Sequence, residues 1–475
     1  MTLHFDNSYV RELPGSYLRL DPDVAPAPVI LVLNRGLAQS LGLDAEALAA
    51  EGAAWFSGAQ VPAGAEPAAL AYAGHQFGGF SPQLGDGRAH LLGEFLGPDG
   101  RRWDLQLKGS GRTPFSRGGD GKAAVGPMLR EYLISEAMAA LGVPTTRSLA
   151  VVATGEDIWR ETGKLPGAVV ARVAASHIRV GTFQFFSARG EADKLRALLD
   201  YTIRRHFPEA EGAKVPALAM FDAVVARQAK LIAQWMGLGF VHGVMNTDNM
   251  APSGETIDYG PCAFLDAYQP ATVFSSIDRQ GRYAYGNQPL ILAWNLARLA
   301  ETLLPFFDAD ETGAVALAND RLGAIAGIYE AEYQEVMREK LGLAAPDRGL
   351  VAGLMAAMVG ADWTLAFRRL ADAAEGREAG LTGLFSDPAA IRTWLPQWRA
   401  RLAVSAEVLR TRNPAVIPRN HLVEAALVAA TAGDMGPFTE LLAMVRDPFG
   451  DEAGRERFTL PAPAGFGDYV TYCGT

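Results

Sequence analysis

Two short stretches carry residue types suited to phosphate chemistry: HGVMNTDNM, residues 242 to 250, and DYG, residues 258 to 260. The template H-x-D-x-x-x-x-N followed by D-x-G uses an amide and a carboxylate to hold a divalent cation, and an aspartate to accept the proton of the attacking hydroxyl. His242, Asn249 and Asp258 fall on it, but Val244 stands where the proton acceptor belongs. Asn249 and Asp258 offer hard oxygens of the kind magnesium takes, an ion that keeps most of its shell as water and phosphate oxygen. His242 reads as a structural hydrogen bonder rather than a catalyst.

Phosphates also require backbone that can approach closely and a fixed cation. LGDGR supplies Gly85, Gly87 and Arg88, and Lys108 closes the following strand. A lysine ending a strand beside Leu105 and Leu107 costs burial energy unless it is paired. The next helix offers Glu131 and Glu136, and periodicity leaves both open. Between strand and helix, GSGRTPFSRGGDGKAA packs Arg112, Arg117 and Lys122 among glycines, a composition suited to an anion-binding loop. It is not a P-loop, since G-x-x-x-x-G-K-[ST] fails at Ser116 and at Ala123.

The elements that must position these residues follow from the pattern. Residues 1 to 70 are irregular and rich in Pro and Ala, with a short helix at NRGLAQSLGL, and form an N-terminal extension. RAHLLGEFL and RWDLQLKG flank GPDG as a hairpin. GPMLREYLISEAMAALGVP reads as a helix with Pro127 in its first turn and Gly142 as its stop, and SLAVVATG and AVVARVAA read as two more strands. From about 190 onward the chain is helical, with helices expected at 216–238, 288–304, 316–341, 349–375 and 419–431, interrupted by the motif loops; the last stretch reads as loosely structured. This is an α+β layout, a protein-kinase-like two-lobed fold. A strand-rich small lobe spans 71–180, and a helical large lobe spans 181–475 with a C-terminal extension and a flexible tail.

Composition bounds the rest. The chain has 475 residues, 49% hydrophobic and 20% charged, enough to bury sizeable cores. A formal charge of -10 argues against a general nucleic-acid binder or a membrane-surface protein. The start lacks a basic, apolar leader and no apolar run approaches the ~18 residues of a membrane span, so a cytoplasmic location is expected. Cys262 and Cys473 are too few for a disulfide framework or a thiolate zinc site.

The run KGSGRTPFSRGGDGKAAVGPMLREYLISEAM, with HGVMNTDNM, IDYGPCAFLDAY, GRYAYGNQP and NPAVIPRNHLVEAAL, resembles the selenoprotein O, or YdiU, family over nearly the whole chain. The resemblance implies a pseudokinase-like enzyme that transfers AMP from ATP to protein hydroxyls, with the nucleotide flipped relative to ordinary kinases. It implies that Gly85, Gly87, Arg88, Lys108, Asp120, Gly121, Arg172, Arg179 and Asp258 bind nucleotide, with Glu131 as the partner of Lys108. It further implies that Asn249 and Asp258 hold magnesium, with manganese as an alternative ion and UTP as an alternative nucleotide, and that Asp248 accepts the proton. It implies acceptor proteins with hydroxyl side chains, redox-related ones among the candidates. Cys473 falls at the family's selenocysteine position, and an oxidised bridge to Cys262 would hold the tail over the site.

A general base contributes about 10² to 10⁴ in rate, whereas cations on the phosphates usually contribute more. Loss of the aspartate at 244 therefore leaves catalysis intact in principle, with Asp248 as the replacement base. A flipped nucleotide presents its α-phosphorus, so the attacking hydroxyl displaces pyrophosphate. Two other readings stay open from sequence: a small-molecule-type kinase that moves the γ-phosphate, and an inactive nucleotide-binding scaffold.

Overall fold

The structure is a computed structural model that describes residues 3–161, 163–451, 454–467 and 469–471. Among them, eight strands build one antiparallel sheet: β1 (Tyr17–Arg19), β2 (Val29–Leu33), β3 (Ala68–Leu70), β6 (Ala89–Leu96), β7 (Arg102–Lys108), β8 (Ala123–Ala124), β9 (Arg147–Arg160) and β10 (Gly163–Ala174). The order is β1-β3-β6-β7-β10-β9-β2, with β8 pairing β10. Two small antiparallel pairs stand apart, β4 (Gly74–Gln76) with β5 (Gly79–Ser81), and β11 (Phe240–Val241) with β12 (Ala263–Phe264). The N-terminal stretch thus contributes β1, β2 and β3 to the sheet, pairings the sequence pattern did not reveal.

Alternation decides what each face of the sheet covers. Ala168 and Val170 of β10, with Val151 of β9, pack on Leu129, Tyr132 and Leu133 of the helix Val125–Ala140. That helix is covered on its far side by Leu427, Phe438 and Leu441 from the helices Asn420–Thr431 and Gly436–Arg446. Val169 and Ala171 point the other way, with Leu105, Leu107 and Val152, onto Leu48 and Phe56 of the helix Ala45–Ser57.

The β6–β7 hairpin turns through GPDG as expected, with Gly97 N–H bonded to Arg101 O at 2.8 Å. The helix after it ends at Gly142, which has φ +77, and Val143 N–H returns to Met138 O at 2.9 Å. A register shift between Ala171 and Arg172 breaks the β9–β10 ladder just where Arg172 must point at the site.

The helical part is built around Pro216–Leu238, Gln288–Phe307 and Glu311–Leu341. The expected helix over 349–375 is two helices, Arg348–Ala357 and Trp363–Ala374. Gly360, at φ +82, ends one, and the Asp362 carboxylate caps the other by accepting from Leu365 N–H. Tyr285–Phe307 is the single stretch among the described residues long and apolar enough to cross a bilayer, contrary to the expectation that none approaches that length; half of its apolar window is buried, as in a core helix. Pro216–Leu238 stops at Gly239, φ +70, and the chain enters β11. Because β11 and β12 pair Val241 with Ala263, they pin both ends of the loop that carries Asp248, Asn249 and Asp258.

Candidate active site

Three cations converge on two carboxylates where the sheet meets that loop. Lys108, the last residue of β7, places Nζ 2.6 Å from Glu131 Oε2 and 2.9 Å from Asp258 Oδ1. Arg172 of β10 reaches Asp258 Oδ1 at 2.6 Å and Glu131 Oε1 at 3.2 Å, and its other terminal nitrogen donates to Gln106 Oε1 at 2.5 Å. Arg179, which begins the helix Val180–Ser187, donates through one nitrogen to Asp258 Oδ2 and to the Asp248 carbonyl oxygen. Its guanidinium also lies over the Tyr72 ring at 4.8 Å.

Burial alone would raise the Asp258 pKa, but Arg172, Arg179 and Lys108 hold it well below the usual carboxylate range. The backbone there is left-handed, φ +64, a conformation that a non-glycine residue keeps only when its surroundings enforce it. Three cations against two carboxylates leave an excess of one positive charge, which suits a polyanionic ligand. Glu136, the other candidate partner for Lys108, instead takes Arg147 at 2.7 Å and Arg446 at 3.0 Å.

Asp248 has the opposite surroundings. It sits in a single 3-10 turn, Thr247–Asn249, and is 7% exposed. Its Oδ2 accepts from Gln76 Nε2 at 3.1 Å, while Oδ1 is enclosed with no hydrogen-bond partner among the described residues. Burial pushes its pKa up to about 6 against the pull of Arg179 and Gln76. The β4–β5 hairpin holds this turn in place. His75 N–H donates to Thr247 Oγ1 at 2.7 Å, and Thr247 Oγ1 donates in turn to Gln184 Oε1 at 2.6 Å. A Cβ at Gly74 would lie 2.8 Å from Asp248 Oδ1, so only glycine fits beside that oxygen.

Val244 is buried where the template has its aspartate, and its carbonyl accepts from Asn249 Nδ2 at 3.0 Å. That bond uses the amide nitrogen and leaves the oxygen as the atom that could take a cation. His242 is the structural residue expected: its Nε2 bonds Ile257 O at 2.9 Å and its ring stacks on Trp235 at 5.3 Å.

The glycine-rich segments are placed by packing. Gly85, φ +78, leaves room for the Phe115 ring, and a Cβ at Gly87 would lie 2.9 Å from Phe115 O. Between them Asp86 accepts from Leu70 N–H at 3.2 Å and Gln106 Nε2 at 2.8 Å, and burial pushes its pKa up to about 6. Gln106 therefore joins the GDG turn to Arg172. The Arg88 carbonyl accepts from Gly109 N–H at 2.7 Å, which ties that turn to the residue after Lys108.

Asp120 and Gly121 lie at the base of the loop 111–121. Asp120 pairs with Arg160 at 2.8 Å, and Gly121, φ +71, is pressed against Gly111. No hydrogen bond or ion pair among the described residues joins either of them to the Lys108–Asp258 cluster. Cys262 is buried and its thiol is pushed up to about 12 by burial; Cys473 lies outside the described residues.

Among the described residues no group of three His, Cys, Asp or Glu side chains is placed to hold a metal. Asn249 and Asp258 carry hard oxygens on one loop, the kind of donor magnesium takes, and in this structure both Asp258 oxygens are held by Lys108, Arg172 and Arg179. Sequence reasoning missed Gln76, Gly74, Gln106 and Asp86. The only signal for the first two is AGHQFGG, a polar pair between glycines.

A buried carboxylate beside a cationic cluster, on a sheet and helix scaffold, is an arrangement suited to a phosphate-bearing ligand. The model of the family described as Protein adenylyltransferase SelO matches residues 1–446, and the chain belongs to that family. It is similar to proteins named Protein nucleotidyltransferase YdiU: one of Cereibacter sphaeroides is 60% identical with all of both chains covered. One of a Mycobacterium species is 56% identical over 100% of this chain and 99% of its own, and one of Rhizobium johnstonii is 55% identical over 99% and 97%.

Proposed function

We propose that this chain is a protein adenylyltransferase with a kinase-like two-lobed architecture, which moves AMP from ATP to the Ser, Thr or Tyr hydroxyl of a protein and releases pyrophosphate. The observation that carries this reading is the pairing of an enclosed, unpartnered oxygen on Asp248 with the three cations on Asp258, bridged by Arg179. The strand-end Lys108, its helical partner Glu131 and the loop between β11 and β12 support the kinase-like layout.

In the reaction, the acceptor hydroxyl gives its proton to the Asp248 carboxylate as its oxygen forms a bond to the α-phosphorus. The bond from that phosphorus to the bridging oxygen breaks, and pyrophosphate leaves with the electron pair. An acid with a pKa near 6 is ionised at neutral pH yet basic enough to take the proton. Lys108, Arg172 and Arg179 answer the charge that develops on the leaving group. Asn249 and Asp258 are the residues that would hold magnesium, which when bound neutralises phosphate oxygens. With Val244 at the template's aspartate position, the γ-phosphate has no carboxylate to deprotonate an acceptor aligned to it.

The test uses ATP labelled at the α- or the γ-phosphate, with magnesium and a protein acceptor. The α-label should appear on protein and the γ-label in pyrophosphate; γ-label on protein would establish a kinase instead.

A further inference from the structure

The hairpin that holds Asp248 turns aromatic side chains outward. Phe77 and Phe80 follow Gln76 and are 37% and 44% exposed. Phe77 is held at φ +52, which a bulky side chain rarely adopts, with its N–H near Asn246 Oδ1 at 3.2 Å and Tyr283 Oη at 3.1 Å. Its ring meets Tyr283 at 5.1 Å, and Phe80 meets His75 at 4.8 Å, with Trp294 behind that imidazole at 5.1 Å.

Over Trp294, at 4.7 Å, lies the guanidinium of Arg282, which also lies 5.7 Å from the Tyr283 ring. Arg298, over the same indole, is answered by Glu301 at 2.5 Å; Arg282 has no ion pair among the described residues. Arg282 as a whole is half-buried, and a charged fork without an ion pair is a suitable partner for a carboxylate. Exposed aromatics beside a catalytic turn mark a binding surface. The Lys108 cluster already serves the phosphates, which leaves Arg282 for another anionic group.

We propose that Phe77, Phe80, Trp294 and Arg282, with the buried Tyr283 ring supporting Phe77 from beneath, form the docking surface for the acceptor polypeptide, which binds as an extended segment with a carboxylate side chain close to the modified hydroxyl. The aromatic rings cover the segment's apolar groups and Arg282 takes its carboxylate. Gln76, in the same hairpin, ties this surface to the base. The proposal rests on the adenylyl-transfer reading for the word acceptor, but binding is measurable without transfer.

The probes are two short fluorescein-labelled peptides with a central serine, one flanked by aspartates and the other by asparagines, titrated into the full chain with magnesium and an ATP analogue that cannot be cleaved between the α- and β-phosphates. The aspartate peptide should bind about tenfold or more tightly than the asparagine peptide. Phe80→Ser and Arg282→Gln should each remove that preference or that binding while the affinity for the nucleotide stays the same, and Arg282→Lys should restore part of it. Equal binding of both peptides, or unchanged binding by the variants, overturns the proposal. So does a concentration-dependent dimer, seen by light scattering, that the same variants dissolve while no peptide binds, because the face then belongs to a second copy. Peptide binding as expected with no α-label ever reaching protein refutes the transfer reading and leaves the docking surface standing. Transfer with the same peptide KM in wild type and variants does the reverse.

Discussion

Asp248 and Asp258 sit on one loop, share Arg179, and are made chemically unlike by what surrounds them. Around Asp258 three cations compensate the carboxylate, which stays ionised through the working pH range and serves as a fixed charge. Around Asp248 burial comes with one amide donor and an oxygen that has no partner among the described residues, so the proton affinity rises to the range where a base works. Sequence adjacency says nothing of this. The difference comes from β7, β10 and the helix at Arg179 delivering cations to one position, and from β4 and β5 delivering a glycine and a glutamine to the other.

The largest effect should come from removing the compensated member. Asp258→Ala leaves Lys108, Arg172 and Arg179 with Glu131 as the remaining carboxylate of the cluster. Uncompensated buried charge costs about 3–5 kcal/mol, so the ligand-free protein should melt well below wild type. Transfer of α-label should fall by at least about 10³ on the proposed reading, in which Asp258 would hold magnesium and orders the cations that meet the phosphates. Wild-type transfer by Asp258→Ala at any magnesium concentration would remove Asp258 from the site.

Asp248→Asn should separate activity from stability. Transfer should drop by about 10² to 10⁴ with nucleotide affinity retained. The Asp248 folded pKa of about 6 lies above its ordinary value of 3.8, so its contribution to stability is full below that value and is lost as pH rises through 6. At pH 8 the wild-type protein therefore carries a buried charge that asparagine lacks. The variant should be more stable there by about 1–3 kcal/mol, and the gain should vanish near pH 4. A melt at both pH values checks the sign; a variant less stable at pH 8 than at pH 4, relative to wild type, would show that the ionised Asp248 is compensated rather than penalised by its surroundings.

The legible part of the site was the part written in contiguous sequence. HGVMNTDNM and DYG placed Asn249 and Asp258 on one loop, and the hairpin around GPDG set Lys108 at a strand end. The choice between Glu131 and Glu136 was not legible because both lie on buried faces of the same helix. What separates them is Arg147 and Arg446, partners that arrive from β9 and from a helix far along the chain. Arg172 and Arg179 were reachable only through family resemblance, since a single arginine within or after an apolar strand carries no periodic signal. The helix over 349–375 was misread because its apolar pattern runs through the break that Gly360 and Asp362 impose. Gln76 was missed for a plainer reason: its partner lies on a distant segment of the chain.

Val244→Asp tests whether the template position still matters. Val244 is 6% exposed and its carbonyl holds Asn249, so a carboxylate there would enter a buried position. Stability should fall by about 1–3 kcal/mol, α-label transfer should drop severalfold, and no γ-label should reach protein. Appearance of γ-label would show that the nucleotide also binds in the orientation of an ordinary kinase.

The smallest effect, and the one that tests how β4 tunes the base, belongs to Gln76. Its amide donates to Asp248 Oδ2 and so favours the ionised carboxylate, opposing the burial that raises the pKa. Wild-type transfer should fall as pH drops through about 6, because the base must be deprotonated to accept the hydroxyl proton. Gln76→Leu removes the donor and keeps the volume, so Asp248 holds its proton to higher pH and the acid limb moves upward, by up to about one unit, equivalent to about 1.4 kcal/mol. Well above the new limb the rate should return to within a few-fold of wild type, since the base itself is intact. Gln76→Glu should move the limb further in the same direction, because a second carboxylate facing Oδ2 disfavours ionisation of the first. An unmoved limb in both variants, with the rate lowered equally at every pH, would assign Gln76 to holding the turn in place and not to the proton affinity of Asp248.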